Sequence, residues 1–214
     1  LLTVADINAT NPRLWTDWKG SLMHNLYFET KRALQNGLGS PEKRSTWVAS
    51  AKKAVLDRLA EMDVDESTAR EVWHDVDDEL FLRERAADIA TFTAAIVANK
   101  DPLEPLVLLR DVGVEIPIAT QIFIYARDRK QMFSVIAAIL EQLQLTIQDA
   151  RLQTNSRNQA FDVFYVLDEE DRPVGQNTEL CGRIVKALKK GIKNPKSVNT
   201  DVRRRTSRQL KQLT

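Results

Sequence analysis

Residues 120–168 read TQIFIYARDRKQMFSVIAAILEQLQLTIQDARLQTNSRNQAFDVFYVLD, and the hydrophobic period changes several times within them. Thr120 to Ala126 is apolar, rich in β-branched residues and too short for a helix, so it reads as a strand. Gln131 to Leu143 places Met132, Phe133, Val135, Ile136, Ile139, Leu140 and Leu143 at helical spacing. Leu145 to Thr154 and Ala160 to Leu167 return to strand character, separated by the hairpin loop Asn155-Ser156-Arg157-Asn158. Downstream, Thr178 to Ile192 carries Leu180, Ile184, Leu188 and Ile192 on one stripe, with Lys186, Lys189, Lys190 and Lys193 on its other faces. Ser207 to Leu213 alternates polar and apolar residues and reads as a last strand. The order from 119 to 213 is β-α-β-β-α-β, a ferredoxin-like pattern with both helices on one face of an antiparallel sheet. Pro105 to Arg110 adds a preceding strand. The fold class is therefore α+β, and the pattern alone does not choose a function.

Upstream of about residue 98 the spacing is helical throughout. Leu14, Trp15, Trp18, Leu22, Leu26 and Tyr27 form one stripe, opened by Asn11-Pro12 and stopped by Asn36-Gly37. Ser40-Pro41-Glu42 starts a second helix, with Trp47, Ala51, Val55 and Leu59 as its apolar stripe. A highly acidic segment runs from Asp65 towards Leu82, and a further helix carries Ile89, Phe92, Ile96 and Val97. Asn99-Lys100-Asp101-Pro102 ends it. Three regions are expected: 1–36, a helical connector over 37–100, and 101–214.

Composition narrows the class. Of 214 residues, 43% are apolar and 29% charged, which suits a globular chain. The single cysteine, Cys181, excludes an internal disulfide and a cysteine-rich zinc site, and is consistent with a cytoplasmic setting. No apolar run approaches the length that spans a membrane. Leu1-Leu2-Thr3-Val4 lacks a leader pattern and reads as the interior of a longer protein. The net charge of +1 conceals polarity: 57–88 holds 12 acidic and 4 basic residues, whereas 183–214 holds 11 basic residues against Asp201. These two segments are expected to meet.

Catalytic constellations are missing from the motifs. His24 and His74 have no second ligand at helical spacing, and Asp75, Asp77 and Asp78 lack the glycine and terminal glutamate of a calcium loop. No glycine-rich phosphate loop occurs. Phe123 with Tyr125, and Phe161 with Tyr165, share sheet faces as in RNA-recognition folds, but the glycine-containing signature of those folds is missing from NQAFDVFYV, so the four rings read as core and nucleic-acid binding is not expected.

LLTVADINATNPRLWTDWKGSLMHNLYFETKRAL (1–34), DELFLRERAADIATFTAAI (78–96), the stretch 120–154, AFDVFYVLD (160–168) and RQLKQL (208–213) together resemble one bacterial family, the bifunctional PII uridylyltransferase/uridylyl-removing enzymes. The resemblance implies a nitrogen sensor in which a nucleotidyltransferase domain adds UMP to the PII protein, an HD-type domain removes it, and two ACT domains sense glutamine. It places 1–36 at the end of the HD domain and 101–214 as the first ACT domain. It further implies that neither active site is complete in this chain, which is then inactive by itself. Asp6 would be the one ligand here of the HD metal site, whose divalent cation (Mg or Mn) needs partners from elsewhere in that family's sequence.

In ACT domains the effector sits at the turn after the first strand, because a helix N-terminus offers N–H groups and positive potential to a carboxylate. The resemblance therefore points to Asp128, Arg129, Gln131 and Met132, with Gln148 and Asp149 of the second strand facing the same rim. The family pattern Asp-Arg-Pro-Gly is matched at Asp128 and Arg129, while Lys130 and Gln131 replace Pro and Gly. The plainer readings are that Asp128 caps the helix and that Asp149 pairs with Arg151. Expected partners are glutamine, the PII protein, and a second ACT domain or another copy of this one. The alternative is a structural adaptor without a ligand, and Lys186–Lys193 with Arg203–Arg205 could also dock PII.

Overall fold

The computed structural model describes residues 41–101, 103–113 and 118–200, with isolated helical positions between 9 and 30. Asp6, the helix start at Asn11-Pro12, His24, the Arg203–Arg205 triplet and the strand expected at Ser207–Leu213 lie outside the described residues.

Between 41 and 98 the helical spacing becomes α1 (Pro41–Ala60), α2 (Glu66–Val72), α3 (Glu79–Arg83) and α4 (Ala86–Ala98). The α1 stripe buries Val48, Val55 and Leu59, and the chain leaves that helix through Asp63 in the left-handed region, φ 56°. Asp65 then caps α2, its carboxylate accepting from the N–H groups of Ser67 (2.9 Å) and Thr68 (3.2 Å). The acidic segment 65–82 is two short helices rather than one. The chain reverses at Trp73–Asp78, with Asp75 at φ 58°, so that the Trp73 ring meets Phe81 edge-on at 5.1 Å and its indole N–H reaches Thr93 Oγ1 at 2.9 Å. Val55, Leu59, Ala69, Trp73, Leu80, Phe81, Ile89 and Ala90 form the core of this helical layer.

The second half contains β1 (Leu106–Val112), β2 (Ala119–Arg127), α5 (Met132–Gln142), β3 (Thr146–Arg151), β4 (Gln159–Leu167), α6 (Thr178–Lys193) and a 3-10 turn at Pro195–Ser197. The four strands pair antiparallel in the order β1-β2-β4-β3. This is the expected α+β, ferredoxin-like arrangement, consistent with an ACT-like domain. One position differs from the βαββαβ pattern. The edge beside β2, which a following strand would fill, is taken by the preceding β1, paired from Leu106↔Tyr125 to Val112↔Ala119.

Both sheet faces are covered. On one, Val135, Ile136, Ile139 and Leu140 of α5 and Ile184, Leu188 and Ile192 of α6 pack on Ile122, Ile124, Phe164 and Val166. Gly191 permits this approach, since a Cβ there would lie 2.3 Å from the Ile139 side chain. On the other face, Phe92 and Ile96 of α4 pack on Phe123, Phe161, Val163 and Tyr165. Phe92 stacks on Phe123 with centroids 4.0 Å apart. Burying each such ring contributes about 1.5–3 kcal/mol. The aromatic face that an RNA-recognition fold leaves open is thus occupied by a helix. Among the described residues no helix is long and apolar enough to cross a membrane.

Candidate functional site

β2 ends at Arg127, and the turn to α5 is built from Asp128, Arg129, Lys130 and Gln131. Asp128 is tied to the β3–β4 hairpin three times: its N–H donates to the Asn158 carbonyl (2.8 Å), its carbonyl accepts from Asn158 Nδ2 (2.9 Å), and its Oδ2 accepts from Thr154 Oγ1 (3.0 Å). Its carboxylate therefore faces the hairpin and does not cap α5, contrary to the plainer sequence reading. Arg129 Nη1 donates to the Lys193 carbonyl at the end of α6 (3.2 Å), where the helix dipole favours a cation. Met132 is buried in the core under α5.

Gln131 occupies the N-cap position of α5 at φ 68°, ψ 13°, without a side-chain cap. A side chain in this left-handed region costs about 1–2 kcal/mol, which is why glycine suits the position. Gln131→Gly is accordingly expected to raise stability by about 1 kcal/mol, read as an increase of a few degrees in thermal midpoint. A lower midpoint would show that the Gln131 side chain contributes more than the strain removes.

Beneath this turn lies an acid that sequence reading passed over. Along β4, Ala160, Phe164 and Val166 point to the α5/α6 face, and the alternation puts Asp162 there too, 4% exposed. Burial pushes its pKa up to about 7; the Gln153 backbone N–H opposes this, and the nearby Asp128 charge adds to it. The signal was present in AFDVFYV, an acid in phase with core positions.

Gln148 and Asp149 do not reach the turn. Gln148 falls at a bulge between Ile147 and Asp149, and Asp149 pairs with Tyr165 of β4. Tyr165 is seven positions from Asn158, so Asp149 and Asp128 are separated by roughly 23 Å of strand. Asp149 instead pairs with Arg151 (3.2 Å), as its plainer reading had it.

Arg151 belongs to a buried polar cluster where the helical layer meets the sheet. Glu84, at the end of α3, accepts from Arg151 Nη1 through Oε1 (2.5 Å) and from Gln121 Nε2 (3.1 Å) and the Tyr165 hydroxyl (3.0 Å) through Oε2. Arg151 also lies over the Tyr165 ring at 5.0 Å. Burial, then the Glu84 charge, holds the Tyr165 phenol well above its ordinary range, so it acts as a neutral donor. Arg110 pairs with the buried Asp88 and donates to Gln121 Oε1 (2.8 Å). The acidic segment thus meets arginines of the sheet and not the lysines of α6, because α6 packs on the opposite sheet face. Lys189 and Lys193 pair instead with Glu104 of the linker.

The hairpin loop 155–158 joins the two regions. Asn155 Oδ1 accepts from the N–H groups of Arg157 (3.1 Å) and Gln159 (2.9 Å), and Asn158 turns at φ 60°. One flank holds Asp128. The other touches the helical layer: Arg157 Nη1 donates to Glu71 (2.6 Å), Ser156 to the Asp75 carboxylate, and Asn155 Nδ2 to the His74 carbonyl (3.5 Å). The Ser156 bond, foremost, holds the Asp75 carboxyl below its usual range. His74 pairs with Asp75 at 3.0 Å. Among the described residues no three His, Cys, Asp or Glu side chains are grouped to hold a metal ion, and Asp6, to which the cation reading attaches, is not among them.

Fold and site together define a helical layer fused to a ferredoxin-like module with a clamped strand-to-helix turn, an arrangement consistent with an ACT-like domain. Residues 43–95, which cover most of α1–α4, match the family model described as the fifth domain of the uridylyltransferase GlnD. The chain is 42% identical over 212 residues to the bifunctional uridylyltransferase/uridylyl-removing enzyme of Pseudomonas aeruginosa, covering 99% of this chain and 24% of that protein. Enzymes of the same name from Stutzerimonas stutzeri (42%) and Azotobacter vinelandii (41%) match over the same shares. The chain is thus homologous to one segment of these enzymes and spans about a quarter of their length. No solved structure matches.

Proposed function

We propose that this chain is the regulatory segment of an enzyme that adds UMP to the PII protein and removes it, and that its sheet module senses glutamine at the β2–α5 turn. The activity belongs to the whole enzyme and its divalent-metal chemistry; this segment is read as inactive alone, working in the cytoplasm beside PII. The observation that carries the reading is the hairpin 155–158, which clamps Asp128 on one flank and Glu71, His74 and Asp75 on the other. A ligand that repositions the turn must move or stiffen this hairpin, and with it α2. Coupling of this kind requires only that the ligand favour one of two packings.

Hydrogen exchange on the 214-residue chain tests it. Glutamine, and not glutamate, is expected to slow exchange over 126–134 and to alter it over 66–78. In Arg157→Ala the first effect persists and the second fades. A second reading, an adaptor that binds no ligand and pairs through its sheet with another such module or a second copy, is favoured by the Thr154 hydroxyl already on Asp128. Unchanged exchange at millimolar glutamine in the folded chain would select the adaptor.

A further inference from the structure

The charge polarity of the chain is not neutralised within one molecule. Residues 183–200 hold six basic residues and no acid. Arg183, Lys186, Lys190 and Lys193 recur at three- and four-residue steps, so they form one exposed stripe about 15 Å long on α6. One acid, Glu104, serves Lys189 and Lys193. Arg183, Lys186 and Lys190 have no acid partner among the described residues.

The acidic counterpart lies across the sheet. Glu71, Glu84 and Asp88 are matched at the seam by Arg157, Arg151 and Arg110. By contrast, 57–66 holds five acids against Arg58 alone. Asp65 is engaged in capping α2, and Glu66 pairs with Arg70. Asp57 and Glu61, one turn apart on α1, and Asp63 just beyond it are exposed and have no cationic partner among the described residues. Because α6 covers one sheet face and the helical layer the other, these acids and the α6 stripe do not meet in one chain.

We propose that the basic stripe of α6 docks on the acidic end of α1 in a second copy of this chain. Patches of opposite sign attract and orient their partners. A net charge of +1 leaves almost no overall repulsion to keep two copies apart. Since the two patches lie on opposite sides of the sheet, each copy offers one patch to each of two neighbours. The contact is therefore head-to-tail and does not close as a two-fold dimer. Exposed ion pairs are individually weak and screened by salt, so the association depends on concentration and ionic strength. It uses helix faces, unlike the sheet pairing of the adaptor reading, and it holds whether or not the chain binds glutamine.

Sedimentation velocity of the 214-residue chain tests the proposal, beside the double variants Lys186→Glu/Lys190→Glu and Asp57→Lys/Glu61→Lys. All four positions are exposed, and each variant is checked for an unchanged thermal midpoint. At about 20 mM salt, where charges are felt over roughly 20 Å, the mean mass is expected to rise with concentration past that of a dimer. At about 300 mM, where that reach is roughly 6 Å, association is expected to weaken by at least about tenfold. Each double variant alone should stay monomeric. An equimolar mixture of the two should associate again, because the intact α6 stripe of one meets the intact α1 end of the other. A mass that levels off at a dimer and survives both reversals would overturn the proposal in favour of sheet pairing. Loss in the lysine variant with retention in the aspartate–glutamate variant would overturn α1 as the docking face. A chain that stays monomeric at low salt and its highest soluble concentration would overturn the proposal outright, and salt-sensitive retention of a short DNA duplex would then give the stripe to nucleic acid.

Discussion

Alanine at position 84 is expected to lower the stability of the chain by about 3–5 kcal/mol, the usual loss when one partner of a buried ion pair is removed. Glu84 is 7% exposed and serves three donors. Without it, Arg151 loses its main counter-charge, and the Tyr165 hydroxyl and Gln121 amide lose an acceptor that water does not replace. The measurement is the urea midpoint at constant slope. Glu84→Gln keeps an acceptor and should cost less. Replacing Glu84 and Arg151 together by methionine should recover much of the loss, because the remaining charge is removed as well. A loss below about 1 kcal/mol in the alanine variant, in the range of a surface ion pair, would mean that the cluster is solvated and does not fix the seam.

Asp162→Asn should change how stability depends on pH. In the folded chain Asp162 holds its proton up to about pH 7, against an ordinary value of 3.8. Between those values the folded state binds more protons than the unfolded, so stability falls as pH rises. Below about 4 both states are protonated and the group contributes nothing. Above 7 the charge is buried in full, at a cost of about 4 kcal/mol. The asparagine variant should thus exceed the parent by a margin that grows from pH 4 to 7 and then levels off. Urea unfolding at pH 5, 6, 7 and 8 measures it, and parallel profiles for the two proteins would refute the buried ionisation.

Most of the sheet module could be read from the sequence because its signals are local. Apolar spacing delimited β2, α5, β4 and α6 to within a few residues, and Asn155-Ser156-Arg157-Asn158 marked its hairpin correctly. The break at Asn99–Pro102 likewise falls between α4 and β1. What escaped depends on pairing at a distance. Nothing in Pro105–Arg110 says that this strand takes the edge beside β2, since either a preceding or a following strand satisfies the same hydrogen bonds. Glu84 and Asp88 look like two more charges in an acidic run, and only the fold turns them towards Arg151 and Arg110. At the site, Asp128 was legible as a turn residue but its partners were not, because Thr154 and Asn158 arrive from another strand pair. Gln148 and Asp149 were misplaced along β3, where the family pattern gives a strand but no register.

The position of β1 also bears on how the chain is made. Translation proceeds from the N-terminus at about 5–20 residues per second, and domains tend to fold as they emerge. Here α4, with Phe92 and Ile96, is synthesised before the four strands of this sheet, and β1 and β2 follow as neighbours in sequence and in space. The first hairpin can therefore close directly onto a surface that already exists, burying Phe123 against Phe92 while β3 and β4 are still unmade. Were the β2 edge filled by a strand following α6, that strand pair would have to wait for the rest of the module. The sheet is thus seeded at β1–β2; β4 then adds to the free edge of β2, and β3, although made earlier, joins only through β4.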